Sequence, residues 1–372
     1  MGGTLLTIFW FLVVLTPLVF VHEFGHYWVA RRNGVRVETF SVGFGRELFG
    51  ITDKFGTRWK FSLIPVGGYV KMFGQNDIGP DDDGTLLTQE EQAVSFHHKR
   101  LGQKAAIVAA GPIANIVFAI LIFTISFVTI GQPFTPARIS EVNPDSVAAE
   151  AGFQSGDLFL EVAGREVARF EEVQQLVRLH PGLPIIVVVE RDGAKVTVPV
   201  TPRVETFTDA QGDKQRIGLL GVRGTEREFQ RHGPIEAVWQ SLRKTGRLTS
   251  LTVTAISQMF SGERSAKELS GPVRIAQMSG SAANGGLTAL IGFAAFLSVN
   301  LGLINLLPIP LLDGGHLLFY AYEVVFRRPP HPWIVDFGLK IGLVLVLGLM
   351  LFATYNDLVR LPLVQRLVAL VT

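Results

Sequence analysis

Val21-His22-Glu23-Phe24-Gly25-His26 is the stretch from which the rest of the chain can be read. It has the pattern H-E-x-x-H. On a helix, residues four apart lie one turn above each other, so the His22 and His26 rings can converge on one ion. Zn²⁺ is the usual occupant of such a pair, and Glu23 can then serve as general base for a water activated by it. Three fixed identities in five residues are only moderately specific, and two helix-end histidines beside an interfacial Glu are the bland alternative. The setting sharpens the reading. Residues 5–21 are almost wholly apolar, so the motif closes a hydrophobic helix. Ionisable groups at membrane depth are costly and point to function.

Composition agrees with a membrane setting. The chain has 372 residues, enough for two or three domains. It is 48% hydrophobic and 18% charged with a mean hydropathy of +0.34, whereas a soluble protein carries about 25% charged residues. A net charge of +2 and the lack of a basic tract interleaved with aromatics argue against nucleic acid as a partner. There is no cysteine, which excludes disulfides, thiolate catalysis and Cys-ligated zinc and leaves His and carboxylate as ligands.

The first 30 residues lack the positive n-region and small-x-small cleavage site of a signal peptide, and are expected to remain as a span. Arg31-Arg32-Asn33-Gly34-Val35-Arg36 sets the C-terminal end of that span in the cytoplasm. Ser41-Val42-Gly43-Phe44-Gly45 is turn-like, residues 58–64 alternate apolar and polar, and Pro65 to Met72 give a second break and a short strand. A β-hairpin fits, either dipping into the membrane beside the metal or lying in the cytoplasm. Residues 76–95, with Asp81-Asp82-Asp83, read as a solvated acidic loop without EF-hand spacing. His97-His98-Lys99-Arg100 and Lys104 form a second basic cluster ahead of a second span, about residues 105–130. Gly111-Pro112-Ile113-Ala114-Asn115 in that span suits close helix packing, and Asn115 is open to a structural or a functional role.

Residues 136–202 have the composition of a soluble domain. A strand at 137–142 precedes a capped short helix ended by Gly152; Ser155-Gly156-Asp157 leads into a strand, a helix at 170–179 and a strand at 185–190. With its A-x-x-A-G-x-x-x-G-D segment, this order resembles a PDZ domain of the bacterial protease-associated type, which captures extended peptide by strand addition. A strand at 217–222 and an amphipathic helix at 234–260 follow, the helix lying on the membrane surface or packed on the PDZ domain. A third apolar stretch, 287–312, ends in a segment where Pro308 and Pro310 break the helix, which sets Asp313 near the cytoplasmic end. Arg327-Arg328-Pro329-Pro330-His331 is a third basic cluster, and a fourth span at 334–355 returns the C-terminus outside.

Two histidines are half a site, because a catalytic zinc takes three protein ligands and keeps one position open. Asp313 reaches the depth of His22 and His26, and His316 is the rival third ligand. The H-E-x-x-H span, the Gly43-Phe44-Gly45 hairpin, Gly111-Pro112…Asn115, the external PDZ domain and Asn305-x-x-Pro308-x-Pro310-x-x-Asp313-Gly314 follow one another as in the site-2 proteases. The chain resembles that family of intramembrane zinc metalloproteases over nearly its whole length, and is most similar to the bacterial regulators of sigma-E. The resemblance implies one Zn²⁺ per chain on His22, His26 and Asp313, with Glu23 as catalytic base. It places Asn305, with Pro308 and Pro310 of the same motif, and the hairpin at Gly43 and Gly45 against extended substrate. Implied substrates are single-span membrane proteins such as anti-sigma factors, and signal-peptide remnants; peptide tails could dock on the PDZ domain. One departure is that this chain has room for one PDZ domain where well-known regulators carry two.

The expected fold is a polytopic α-helical membrane protein of four transmembrane helices, with a membrane-associated β-hairpin and an inserted extracytoplasmic PDZ (α+β) domain. The divisions are 1–36, first span with the motif; 37–96, hairpin and cytoplasmic loop; 97–131, second span; 132–205, periplasmic PDZ; 206–286, strand and amphipathic helix; 287–326, third span with Asp313; and 327–372, fourth span and C-terminus. The expected location is the bacterial inner membrane, in contact with the lipid bilayer, with both termini periplasmic and the site near the cytoplasmic side. A catalytically idle PDZ adaptor and a metal-ion transporter are the alternatives.

Overall fold

The computed structural model describes residues 2–75, 87–208, 214–225, 228–262 and 270–359; the Asp81-Asp82-Asp83 tract lies outside the described residues. The chain divides into two units, one drawn from residues 1–125, 237–257 and 265–372 and the other from 126–236 and 258–264. In chain order the elements begin with α1 (Gly2–Arg32), β1 (Val37–Thr52), β2 (Arg58–Met72), α2 (Gln89–Val94) and α3 (Leu101–Thr129). There follow β3 (Gln132–Phe134), β4 (Ile139–Val142), α4 (Val147–Glu150), β5 (Leu158–Val162), β6 (Arg165–Glu166), α5 (Phe170–Arg178), β7 (Ile185–Arg191) and β8 (Ala194–Val200). Next come β9 (Arg203–Thr208), β10 (Lys214–Leu219), β11 (Val222–Gly224), β12 (Glu228–Gln230) and α6 (Pro234–Ser261). The chain closes with α7 (Pro272–Asn284), α8 (Leu287–Asn305), α9 (Asp313–Phe326) and α10 (Pro332–Val359).

Among the described residues, four helices are long and apolar enough to cross a bilayer: Leu5–Arg32 of α1, then α3, α8 and α10, with mean hydropathies of 2.1 to 2.4. The shortest, α8, has 19 residues, which at ~1.5 Å per residue nearly matches a hydrocarbon core of ~30 Å. The protein is therefore a polytopic membrane protein. Helix α7, which the sequence does not announce as a separate element, packs against α1, α8 and α10. Pro272 opens it after Gly271, and buried Asp357 of α10 accepts the Arg274 N–H at 2.8 Å, satisfying one of its orphan first-turn donors.

The pairing of β1 with β2 is more folded than a plain hairpin. Residues 37–42 align with 68–72 on one side and 58–61 on the other, while 47–52 pair with 58–62. The sheet thus runs 47–52, 58–62, 37–42, 68–72, and the Gly43–Gly45 segment expected as a turn is a bend inside β1. Gly43 and Gly45 take φ of +94° and +84°, a region that L side chains adopt only with strain. One face of the sheet buries Val37, Phe40, Val42, Val70 and Met72 with Tyr27 and Ala30 of α1 and Ile107 of α3. That packing fixes 68–72 along the His-bearing end of α1.

The second unit is built on the four-stranded sheet β6-β5-β7-β8, with α5 burying Phe170, Val173, Leu176 and Val177 against Phe159, Val162, Val187 and Val189. The strand expected over 217–222 is interrupted at Leu220–Gly221, giving β10 paired with β9 and β11 paired with β4. Asp157 of the G-D segment is 1% exposed and accepts two hydrogen bonds from Arg191, both at 2.7 Å, and one from the Gln154 N–H at 2.9 Å. Burial pushes its carboxyl up, but the Arg191 and Gln154 hydrogen bonds outweigh this and hold it below the ordinary value. A group depressed in the folded state stabilises fully above its unfolded pKa, about 3.9, and that contribution is lost as pH falls through the folded value. Asp157→Asn is expected to cost about 3 kcal/mol, the lower end for a buried pair whose guanidinium reaches solvent. Limited proteolysis of the full chain should cut within residues 126–236 faster at pH 7 in this variant, and lowering the pH below about 4 should accelerate cutting less than in the parent chain. Equal rates at both pH values would show the pair to be idle.

Candidate metal centre

His22 and His26 stand one turn apart near the end of α1, and both rings are buried. Asp313 arrives from the far end of the sequence. Helix α8 stops at Asn305, and the connector over 306–312 folds back on itself, with Leu312 N donating to Ile309 O at 3.0 Å and Leu311 at φ +106°. The connector is wedged against α10, where a Cβ on Gly342 would fall on the carbonyl oxygen of Pro310. Asp313 is then the first residue of α9. Its Oδ2 lies 3.2 Å from His22 Nε2 and 3.5 Å from His26 Nε2, and the two Nε2 atoms are 3.3 Å apart.

These edges fit zinc. Bonds of about 2.0–2.1 Å at tetrahedral angles place ligand atoms roughly 3.3–3.4 Å from one another. The tautomer of His26 fits as well: its Nδ1 faces the Ile107 carbonyl at 2.9 Å, so that nitrogen carries the proton and donates while Nε2 keeps its lone pair. Among the described residues, only His22, His26 and Asp313 bring three donor atoms of this kind together. His316, the rival ligand, is not in that group.

The third helix makes the space. Ile107, Gly111 and Asn115 recur every four residues and so share one face of α3. A Cβ on Gly111 would lie 2.2 Å from His26 Nε2 and 2.9 Å from His22 Cε1, and one on Gly25 would lie 2.4 Å from the Ala110 carbonyl oxygen. Backbone therefore meets backbone between α1 and α3, and the imidazoles fill the gap. Reading the sequence, Gly111 registers as a packing residue and Asn115 stays open between structure and function, although their i, i+4 spacing inside an apolar span is the signal that they face one partner. The Ile107 carbonyl has no side-chain signature at all.

Glu23 is buried on the neighbouring face of α1, near enough to His26, His22 and Asp313 to interact electrostatically with each. It packs on the sheet, where a Cβ on Gly68 would lie 2.9 Å from Glu23 Cγ. Asn305 Nδ2 lies 3.4 Å from His22 Nε2, at the rim of the cluster. Gly43 and Gly45 sit in the β1 bend, whereas Pro308 and Pro310 lie in the connector, Pro310 against α10. None of these four belongs to the three-ligand group.

Comparison with known proteins gives one consistent picture. The profile of peptidase family M50 matches residues 10–349. A Rhizobium meliloti protein named as a candidate zinc metalloprotease is 45% identical over 356 residues, covering 94% of this chain and 95% of that one. Another so named, from Agrobacterium fabrum, is 44% identical over 94% of each chain. Metalloprotease MmpA of Caulobacter vibrioides is 36% identical over 97% of each. Among solved structures, the PDZ domain of an SdrC-like protein from Listeria monocytogenes overlaps 25% of this chain and 90% of its own at 15% identity, with a TM-score of 0.20.

Proposed function

The chain belongs to peptidase family M50 and is a zinc metalloprotease of the intramembrane kind; from that premise we propose which residues do the work and on what. His22, His26 and Asp313 hold the zinc, and Glu23 is the catalytic base. The target is a peptide bond within the transmembrane segment of a single-span protein, of the anti-sigma-factor or signal-peptide class. What carries the ligand reading is the convergence of three donor atoms at 3.2, 3.3 and 3.5 Å from helices distant in sequence.

When bound, zinc polarises the scissile carbonyl and lowers the pKa of water in its coordination sphere from ~15.7 to near 7. The Glu23 carboxylate takes a proton from the attacking water as its oxygen adds to the carbonyl carbon. It returns that proton to the amide nitrogen as the C–N bond breaks. A helical peptide bond is shielded by its own hydrogen-bond ladder, so the substrate must first unwind. Residues 68–72 form an outer strand of the sheet beside Glu23, against which the opened segment adds as a further strand, with Asn305 at the rim of the cluster. Phe44, Leu48, Phe49, Ile51, Leu63, Ile64 and Val66 are exposed on the same sheet, which supports its immersion in the bilayer.

The basic clusters at 31–36, 97–104 and 327–331 support a cytoplasmic placement of the H-E-x-x-H end of α1 in an inner membrane, with the second unit periplasmic. We read that unit as PDZ-like. A crevice lined by Phe170, Val173, Val177, Leu219 and Val222 is its candidate seat for a peptide tail. The complete ligand set with a buried carboxylate beside it favours an enzyme over an idle adaptor or a transporter. Purified protein is expected to cleave a model single-span substrate, to stop on chelation and to resume with added zinc. Asp313→Ala should lose both zinc and cleavage. Retention of both would make Asp313 a turn residue and sink the proposed site.

A further inference from the structure

We infer that Asn115 is a positioning residue for the metal centre, acting on zinc through His22; this rests on the reading of His22, His26 and Asp313 as ligands. Asn115 is fully buried in α3, and its carboxamide Nδ2 lies 3.2 Å from His22 Nδ1, the ring nitrogen that faces away from the cluster. Its Oδ1 is buried without a hydrogen-bond partner among the described residues. Such an orphan is rare enough to call for a reason, because a buried acceptor left unsatisfied forfeits its hydration without compensation.

The chemistry of the neighbouring ring supplies one. An imidazole that gives its Nε2 lone pair to a metal carries its proton on Nδ1, and Nδ1–H then needs an acceptor. His26 has one in the Ile107 carbonyl at 2.9 Å. For His22 the only polar side chain placed against Nδ1 among the described residues is Asn115. A half-turn of the carboxamide exchanges its two ends without changing its shape, bringing Oδ1 onto Nδ1–H. The amide can thus donate to a bare Nδ1 or accept from a protonated one, and accepting is the arrangement that offers Nε2 to zinc. A leucine there could do neither.

Asn115 also sits where the two halves of the site are joined. Ser298 of α8 donates to the Asn115 main-chain carbonyl at 2.7 Å, and α8 leads directly into the connector that delivers Asp313. That bond is to the backbone, so side-chain substitutions at 115 leave it intact.

The test uses the full chain in detergent, with zinc affinity measured by competition against a chelator and the visible spectrum recorded after loading with Co²⁺. Asn115→Leu keeps the branched outline and removes the acceptor; zinc affinity should fall by about 10–100-fold and the cobalt bands should shift. Asn115→Asp keeps shape and acceptor but has no N–H to donate, and should bind zinc at least as tightly as the parent chain. Purely structural packing at this position would be served no better by Asp than by Leu. Parent affinity in Asn115→Leu overturns the inference, as does a loss in Asn115→Asp equal to that of Leu; if the Leu variant does not fold, Asn115→Ala, which also removes the acceptor, takes its place. If the parent chain itself binds no zinc in an Asp313-dependent way, the ligand assignment fails first and takes this inference with it. Asp313-dependent binding with an indifferent Asn115 defeats the inference alone.

Discussion

Glu23→Gln is expected to leave zinc bound and to remove cleavage. Gln has the shape of Glu, so the contact at Gly68, where the strand backbone sits against the side chain at position 23, should survive. The proposed ligands His22 and His26 keep their partners on α3, Asn115 and the Ile107 carbonyl respectively, which do not involve position 23. What disappears is the ability to accept a proton from water and hand it to the departing amine. General base catalysis contributes about 10²–10⁴-fold, and a fall of that size in kcat is expected for cleavage of a single-span substrate in detergent. Zinc stoichiometry, measured on the same sample, should stay at the parent value. Loss of both together would mean that Glu23 helps build the site; unchanged turnover would end its assignment as base. The separation of the two readouts is what distinguishes a catalytic carboxylate from a structural one.

How much of this is legible from the residues follows from the range over which each signal acts. The spans are local: hydropathy and flanking Arg and Lys reveal α1, α3, α8 and α10, and the 3.6-residue repeat alone puts His22 above His26. Asp313 is legible only at one remove, through a depth inferred from the count of spans and two helix-breaking prolines. Helix α7 is not, because its run Pro-Val-Arg-Ile-Ala-Gln-Met-Ser-Gly-Ser-Ala-Ala-Asn mixes small, polar and apolar residues, and the residue it buries is Ser279. Its burial depends on partners far away in the chain. The same holds for the sheet. Alternation at 58–64 announces a strand, but the alignment of 37–42 with both 58–61 and 68–72 is a long-range pairing that local pattern does not encode. Main-chain ligands to histidine are the limiting case, since the Ile107 carbonyl would be the same for any residue at that position.

Gly111→Ala should damage the metal centre directly with a single added methyl group. The added Cβ would lie 2.2 Å from His26 Nε2, the atom proposed to bind zinc, and 2.6 Å from His26 Cε1. Neither ring can retreat freely, since His26 is tied to Ile107 and His22 lies against Asn115. The helices cannot separate cheaply either, because Gly25 already meets the Ala110 carbonyl and Gly302 of α8 meets the Pro112 carbonyl on either side of the same turn. Propensity works in the opposite direction: Gly to Ala inside a helix gains about 1 kcal/mol, against an overpacking cost of about 1–3 kcal/mol. The helix should therefore still form, with the strain falling on the imidazoles. Loss of an outer hydrogen bond alone costs about 10–100-fold in metal affinity, and displacement of the donor atom itself should exceed that range. The matched control is Gly102→Ala in the same helix, where an added Cβ meets nothing within 4 Å. Zinc affinity is expected to collapse in the first variant and to hold in the second, with both chains migrating as folded protein in detergent. Should Gly111→Ala keep parent affinity, the rings cannot sit where the three-helix packing puts them, and the ligand triangle with Asp313 would have to be drawn elsewhere.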